Sequence, residues 1–201
     1  MVSCGTEHSL ALCADGAVWS WGKGKNGRLG HGNEADCKSP TLIKSLVLSE
    51  DQKIVQIASG DSHNLALTAE GTVFAWGSGA YGRLGLGTEI DVQTPTVVEG
   101  DLKNIRVLNV SCNSFHSLAL VLPDSDDYSL YTWGGGKYGK LGHGDTANRL
   151  SPTPVELFKK PQRAIRAVAG QHHTVAISLD NRVRQVAITA KIALRRRNDL
   201  L

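Results

Sequence analysis

Short stretches in which a branched apolar residue alternates with alanine or a polar residue recur along this chain: HSLAL from His8, HNLALT from His63, HSLAL from His116 and HTVAIS from His173. A period of two puts successive side chains on opposite faces, which is the mark of a strand rather than a helix. Together with GTVFAWG and KIVQIA, these runs predict strands of about 4 to 6 residues joined by turns, and no long helix. Within one stretch the pattern predicts strands at 41–46, 54–58, 64–68 and 72–76. The last two flank Ala69, Glu70 and Gly71, and the corresponding place near the start holds Ala14, Asp15 and Gly16. An acidic residue followed by glycine supplies the positive φ of a tight hairpin. In the third copy this hairpin is replaced by LPDSDDYS, four residues longer, and a turn tip can grow in this way without disturbing the ladder.

The strands belong to a larger repeat: WGKGKNGRLGHG from Trp21, WGSGAYGRLGLG from Trp76 and WGGGKYGKLGHG from Trp133. A histidine precedes each, and the distances from His8, His63 and His116 to the tryptophans are 13, 13 and 17 residues. From tryptophan to the following Pro40, Pro95 or Pro152 the distance is 19 every time, and from proline to the next histidine it is 23, 21 and 21. All length variation therefore falls in two places, which should be exposed connections. A four-stranded unit cannot bury both faces alone, so neighbours must stack, and a period of 53 to 57 residues without helices fits a β-propeller blade.

The ordered signatures GxxHSLAL, DGxVxxWG, YG(R/K)LGxG and (S/T)P resemble the regulator of chromosome condensation repeat family over roughly residues 2–183. The resemblance implies an all-β fold, a partial propeller with about three and a half of the family's seven blades. The units expected are 2–57, 58–110, 111–168 and an incomplete 169–183. Beyond them the frame requires an aromatic at Arg184, tryptophan at Val186 and glycine at Ala187, so 184–201 is read as a divergent basic tail. VSCG at the start aligns inside a strand, and with the tail this points to a fragment or isoform of a larger protein.

Composition narrows the chemistry. Net charge is a modest +3, with 22 glycines and four cysteines among 201 residues. No apolar run reaches the roughly 18 residues of a membrane span and no leader is evident, so membrane insertion is not expected. Cys4 and Cys112 share a repeat position with Ser59 and Ala169, which asks for a small side chain rather than a metal ligand; no CxxC occurs. Each glycine stretch matches GxGxxG, but RLGHG cannot open a helix to hold a pyrophosphate, so no cofactor is expected and the glycines are read as tight turns.

Recurrence argues against catalysis, because a catalytic group is needed once and a structural bond in every blade. His8, His63, His116 and His173 are read as tying a turn to a neighbouring backbone carbonyl, and Trp21, Trp76 and Trp133 as packing between blades. Arg28, Arg83 and Lys140 share one position, where each cation is expected to bond carbonyls of its own loop rather than form an arc of charge. Arg195, Arg196 and Arg197 are read as a solvated segment, and direct nucleic-acid reading is not expected.

The expected function is a non-catalytic protein-interaction module, with a repeat wording similar to the propellers of large HECT-type ubiquitin ligases, whose chemistry the resemblance assigns to a separate domain. The alternative is nucleotide exchange on a Ran-like small GTPase with chromatin association. That activity implies a wedge inserted after the Trp-Gly element, whereas all three Trp-to-Pro segments are equally long. A light-sensing relative would need GWRHT, and GQHHT at Gly170 to Thr174 lacks its tryptophan and arginine. Contacts with a protein partner are expected from Asp124, Ser125, Asp126, Asp127 and Tyr128, with Tyr81 and Tyr138 as aromatic anchors. A cytoplasmic location is expected, with the nucleus as the alternative.

Overall fold

The computed structural model describes residues 1–47, 49, 52–121, 129–180 and 182–186. Four antiparallel sheets follow one another along the chain. The first contains β1 (Val2–Cys4), β2 (His8–Leu12), β3 (Val18–Gly22) and β4 (Cys37–Leu42). The second contains β5 (Ile54–Ser59), β6 (His63–Thr68), β7 (Val73–Gly77) and β8 (Val92–Val97). The third contains β9 (Val107–Asn113), β10 (His116–Val121), β11 (Leu130–Gly134) and β12 (Arg149–Pro154), and the fourth β13 (Ala164–Ala169), β14 (Thr174–Ser178) and β15 (Val183–Val186). Each is a meander in sequence order, so the fold is the expected all-β partial propeller.

The alternating pattern explains how the blades stack. In β6, Leu65 and Leu67 join a core with Val107, Val110 and Trp133 of the third blade, while Ala66 between them joins Leu10, Leu12 and Val18 of the first. The third blade repeats this: Ala119 faces back, and Leu118 and Leu120 pack on Ala164, Ala167 and Ala176 of the fourth. In β6 and β10 the leucines thus face the next blade and the alanine between them the previous one. A fully buried leucine contributes roughly 1.5–3 kcal/mol, and each of the three apolar clusters joins side chains of two neighbouring sheets. The first strands of successive sheets also lie side by side. The Ser59 N–H donates to Ser3 Oγ at 2.9 Å, the Gln56 amide donates to the Val110 carbonyl at 2.9 Å, and the Ala169 N–H donates to Ser111 Oγ at 3.1 Å.

One strand expected from the sequence needs correction. The strand expected at 41–46 is instead β4 at Cys37–Leu42, followed by a 3-10 turn at Lys44–Leu46. Pro40 sits inside this outer strand, where a missing N–H is tolerated, and most of its side chains are exposed, so no apolar alternation marks it. The apolar Ile43 and Leu46 that suggested a strand are instead buried beside the turn. The expected unit limits at about 57, 110 and 168 fall inside β5, β9 and β13, the first strands of the second, third and fourth sheets. At the far end, β15 pairs with β14 from Val183↔Ile177 to Val186↔Thr174, so the ladder continues into residues read as having left the pattern. Strand pairing needs only backbone groups, and it survives the loss of the tryptophan and glycine.

The longer third hairpin leaves the ladder intact. His116↔Gly134 to Leu120↔Leu130 are the same five pairs as His63↔Gly77 to Leu67↔Val73. The expected partner residues Asp124, Ser125, Asp126, Asp127 and Tyr128 lie outside the described residues.

Candidate functional site

The recurrent histidines build a relay across each blade junction. His8 Nε2 lies 2.7 Å from Asn64 Oδ1, His63 Nε2 is 2.9 Å from Ser117 Oγ, and His116 Nε2 is 2.9 Å from Thr174 Oγ1. Each partner is the residue that follows the histidine of the next blade. Each passes the link on: Asn64 donates to the Arg28 carbonyl at 2.7 Å, Ser117 to that of Arg83 at 2.8 Å and Thr174 to that of Lys140 at 2.9 Å. The expectation that the imidazole itself reaches a backbone carbonyl is therefore corrected, since a side chain of the next blade bridges the gap.

The relay fixes the protonation state. Ser117 and Thr174 use their single O–H on a carbonyl, so the imidazole must donate through Nε2–H, and Asn64 presents only its oxygen. Nδ1 is then left as an unpaired lone pair, buried and without a partner in all three rings. A second proton on Nδ1 would be a buried charge with no acceptor. Burial accordingly lowers the His8 and His63 pKa values, and His116 is pushed down to about 3 by burial and then by the charges of Lys140 and His173. His173, half-buried, faces no further blade among the described residues.

The tryptophans complete the junctions. Trp76 and Trp133 are fully buried, and a Cβ on Gly30 or Gly85 of the preceding blade would lie 3.0 or 2.7 Å from their respective indole nitrogens. Trp76 Nε1 also donates to the Arg28 carbonyl at 3.2 Å. Trp21 has no blade before it among the described residues and is only partly buried. Inter-blade packing is thus observed for Trp76 and Trp133. The glycine stretches between them form three-residue 3-10 turns rather than a helix start, so the geometry of a dinucleotide site is not formed.

On the rim carried by these turns the copies diverge. The central turn residue has φ near +60° in every copy: Asn26 (62°), Tyr81 (63°) and Tyr138 (66°). Asparagine tolerates this left-handed conformation, whereas a bulky aromatic is disfavoured there. Yet Tyr81 and Tyr138 hold it while 48% and 44% exposed. Tyr81 packs edge-on against Phe115 of the next blade with ring centres 5.5 Å apart, and Tyr138 packs likewise against His172 at 5.1 Å. Between them is a cleft of about 270 Å³, also lined by Lys137, Lys140 and Asn148. Lys137 Nζ is 4.9 Å from the Tyr138 ring centre, and Lys140 Nζ is 5.4 Å from that of Phe115.

The three equivalent cations are buried but not alike. Arg28 Nε donates to the Lys25 carbonyl at 2.9 Å and Arg83 Nε to the Ala80 carbonyl at 2.8 Å, as expected for cations that brace their own loops. Lys140, only 2% exposed, departs from that expectation: its ammonium has no hydrogen-bond acceptor among the described residues. Burial, followed by the charge of Arg83 and more weakly that of Lys137, lowers its pKa.

A family model described as "RCC1-like domain" matches residues 1–183. The chain belongs to this family. The domain is 39% identical over 155 residues to "E3 ubiquitin-protein ligase HERC2" of Homo sapiens, a match covering 77% of the chain and 3% of that protein. It is 40% identical over 178 residues to "Ultraviolet-B receptor UVR8" of Arabidopsis thaliana, covering 88% of the chain and 38% of the receptor. The crystal structure of human WBSCR16 superposes with a TM-score of 0.80 at 29% identity, covering 92% of this chain and 46% of that one. Prp20p from Saccharomyces cerevisiae, at 22% identity and a TM-score of 0.74, covers 92% and 44% and shows the shared fold alone. The chain thus spans less than half the length of each of these proteins.

The structure of the RCC1-like domain brings Tyr81 and Tyr138 to one cleft, while Val121 and Ser129, which flank the acidic segment, lie at the opposite end of the third sheet from Gly134. Phe115, Lys140, Asn148 and His172 went unnoticed as cleft residues in the sequence. The signal for them was disagreement between aligned copies: Phe115 stands where Glu7 and Ser62 do, and Asn148 where Asp36 and Asp91 do. The four cysteines are free, Cys112 is buried with its thiol pKa raised by burial, and no metal-binding cluster forms among the described residues. No helix of the described residues is long and apolar enough to cross a membrane.

Proposed function

We propose that this RCC1-like domain is a non-catalytic protein-interaction module acting as part of a larger regulatory protein in the ubiquitin pathway. The observation that carries this reading is the pair Tyr81 and Tyr138, two half-exposed aromatics held at a backbone conformation that disfavours them. Backbone strain at a rigid, exposed position points to a binding role, and tyrosine is enriched where partners bury their strongest contacts. The likeness to HERC2 supports the pathway. Because the match is 3% of that ligase, it supports a module rather than the ligase chemistry. Nucleotide exchange on a Ran-like GTPase gains no support from yeast Prp20p, whose likeness is one of fold. A cytoplasmic location is part of the proposal, with the nucleus as the alternative.

The test exchanges Tyr81 and Tyr138 for asparagine, the residue that the first copy uses at the same φ. Partners captured from extract by the original chain should be lost by the double variant, while its melting temperature holds or rises. Unchanged capture would remove the tyrosine rim from the binding surface.

A further inference from the structure

The third copy differs from the other two in a way that concentrates positive charge. In the first copy Asp36 accepts the Gly24 N–H at 2.9 Å and pairs with Lys23 at 3.2 Å; in the second, Asp91 accepts the Gly79 N–H at 2.9 Å and the Asn26 side-chain amide at 2.6 Å. In the third, Asn148 performs the same turn-closing role, accepting the Gly136 N–H at 3.0 Å, but brings no charge. The neighbouring cation has changed as well. A lysine cannot imitate the Nε–H that ties Arg28 and Arg83 to their loops, and Lys140 is left buried with an ammonium that lines the cleft and meets no acceptor among the described residues. Its Nζ opens on the cleft rather than being sealed in the core. Two cations, Lys137 and Lys140, thus line a cleft whose own carboxylate has been replaced.

We infer that the cleft between Tyr81 and Tyr138 binds an acidic peptide segment of a protein partner, one carboxylate of which takes the place left by Asn148 and pairs with Lys140. The inference rests on the interaction-module reading and names the chemistry of the partner. The flanking rings of Tyr81, Phe115, Tyr138 and His172 would cover the peptide on either side, excluding water and strengthening the ion pair. Room for one or two side chains fits the cleft of about 270 Å³. A nucleic-acid strand fits it less well, because among the described residues only two cations, Lys137 and Lys140, line the cleft, enough for one carboxylate but not for a run of phosphates.

The probe is a capped, fluorescein-labelled peptide, Gly-Ser-Glu-Phe-Glu-Ser-Gly, titrated with the full chain and followed by anisotropy. A matched peptide with glutamine for glutamate and a ten-nucleotide thymidine oligomer serve as comparisons. The glutamine peptide should bind about tenfold more weakly, the factor expected for a lost charge-assisted hydrogen bond. Asn148→Asp keeps the Gly136 turn as the first two copies do and should weaken the acidic peptide by a similar factor with an unchanged melting temperature. Lys140→Met should do the same, and Lys137→Gln, at an exposed position, provides a variant whose folding is not at issue. Equal affinity for the two peptides, indifference to Asn148→Asp, tighter binding of the oligomer, or no binding of the acidic peptide up to about 1 mM would each overturn the inference. If partner capture still depended on Tyr81 and Tyr138, the interaction module would stand and only the acidic chemistry would fall.

Discussion

Acid should loosen the blade junctions through the relay histidines, and His116 gives the clearest measure. Unfolded, its imidazole titrates near about 6.5; folded, it is pushed down to about 3 because the ring is buried and, to a lesser extent, faces the charges of Lys140 and His173. The folded value lies below the unfolded one, so the unfolded chain takes up the proton first as pH falls. The stabilisation is complete above the unfolded value and is lost progressively from there down to the folded one. Between pH 7 and pH 5 this single group should remove about 2 kcal/mol. His8 and His63 shift in the same direction and add to the loss. To isolate His116, urea unfolding is compared between the original chain and His116→Gln at several pH values. A glutamine side chain keeps an N–H donor for Thr174 Oγ1 but has nothing to titrate. At pH 7 the variant should be modestly less stable, and its loss on going to pH 5 should be smaller by about 2 kcal/mol. Parallel pH profiles for the two proteins would show that the ring accepts a proton in the folded state and that the neutral relay is wrong.

Two further outcomes follow from the junctions. Ser117→Ala leaves both the His63 Nε2–H and the Arg83 carbonyl unpaired, and should cost about 1–3 kcal/mol in urea unfolding, whereas Ser9→Ala, in the first blade, should be near neutral. Gly85→Ala would place a methyl 2.7 Å from the Trp133 indole nitrogen at φ +75°; the backbone alone costs about 1–2 kcal/mol, and Trp133 fluorescence should shift as the ring is displaced.

What could be read from the sequence follows from where apolar periodicity exists. The second strand of each sheet alternates a branched apolar residue with alanine because each face meets a different blade, and the third ends on Trp-Gly in the first three sheets, so 64–68 and 72–76 fall within β6 and within one residue of β7. The strand expected at 41–46 differs from β4 because β4, like β8, is largely solvent-facing and carries a proline, and its pairing is a backbone matter that side chains do not record. The histidines were legible as structural, but their targets were not. Ser9, Asn64, Ser117 and Thr174, always small and polar, were the available sign that the residue after the histidine also has a task. The cleft is not legible in the repeat for a different reason. Repetition marks what Trp76 and Trp133 share, whereas the cleft arises from Phe115, Lys140, Asn148 and His172, positions at which the copies differ.

The relay has a direction, since His8, His63 and His116 each reach through Nε2 to the unit after, and each bridging residue returns to a carbonyl of the unit before. Every unit therefore carries one half of an identical coupling at each side, and nothing in the coupling records how many units there are. Whole units can be duplicated or lost during evolution with each remaining joint intact, while a single change at a bridging position damages one joint only. Growth by copying is in this sense built into the chemistry of the join, and individual character is free to accumulate on the rim.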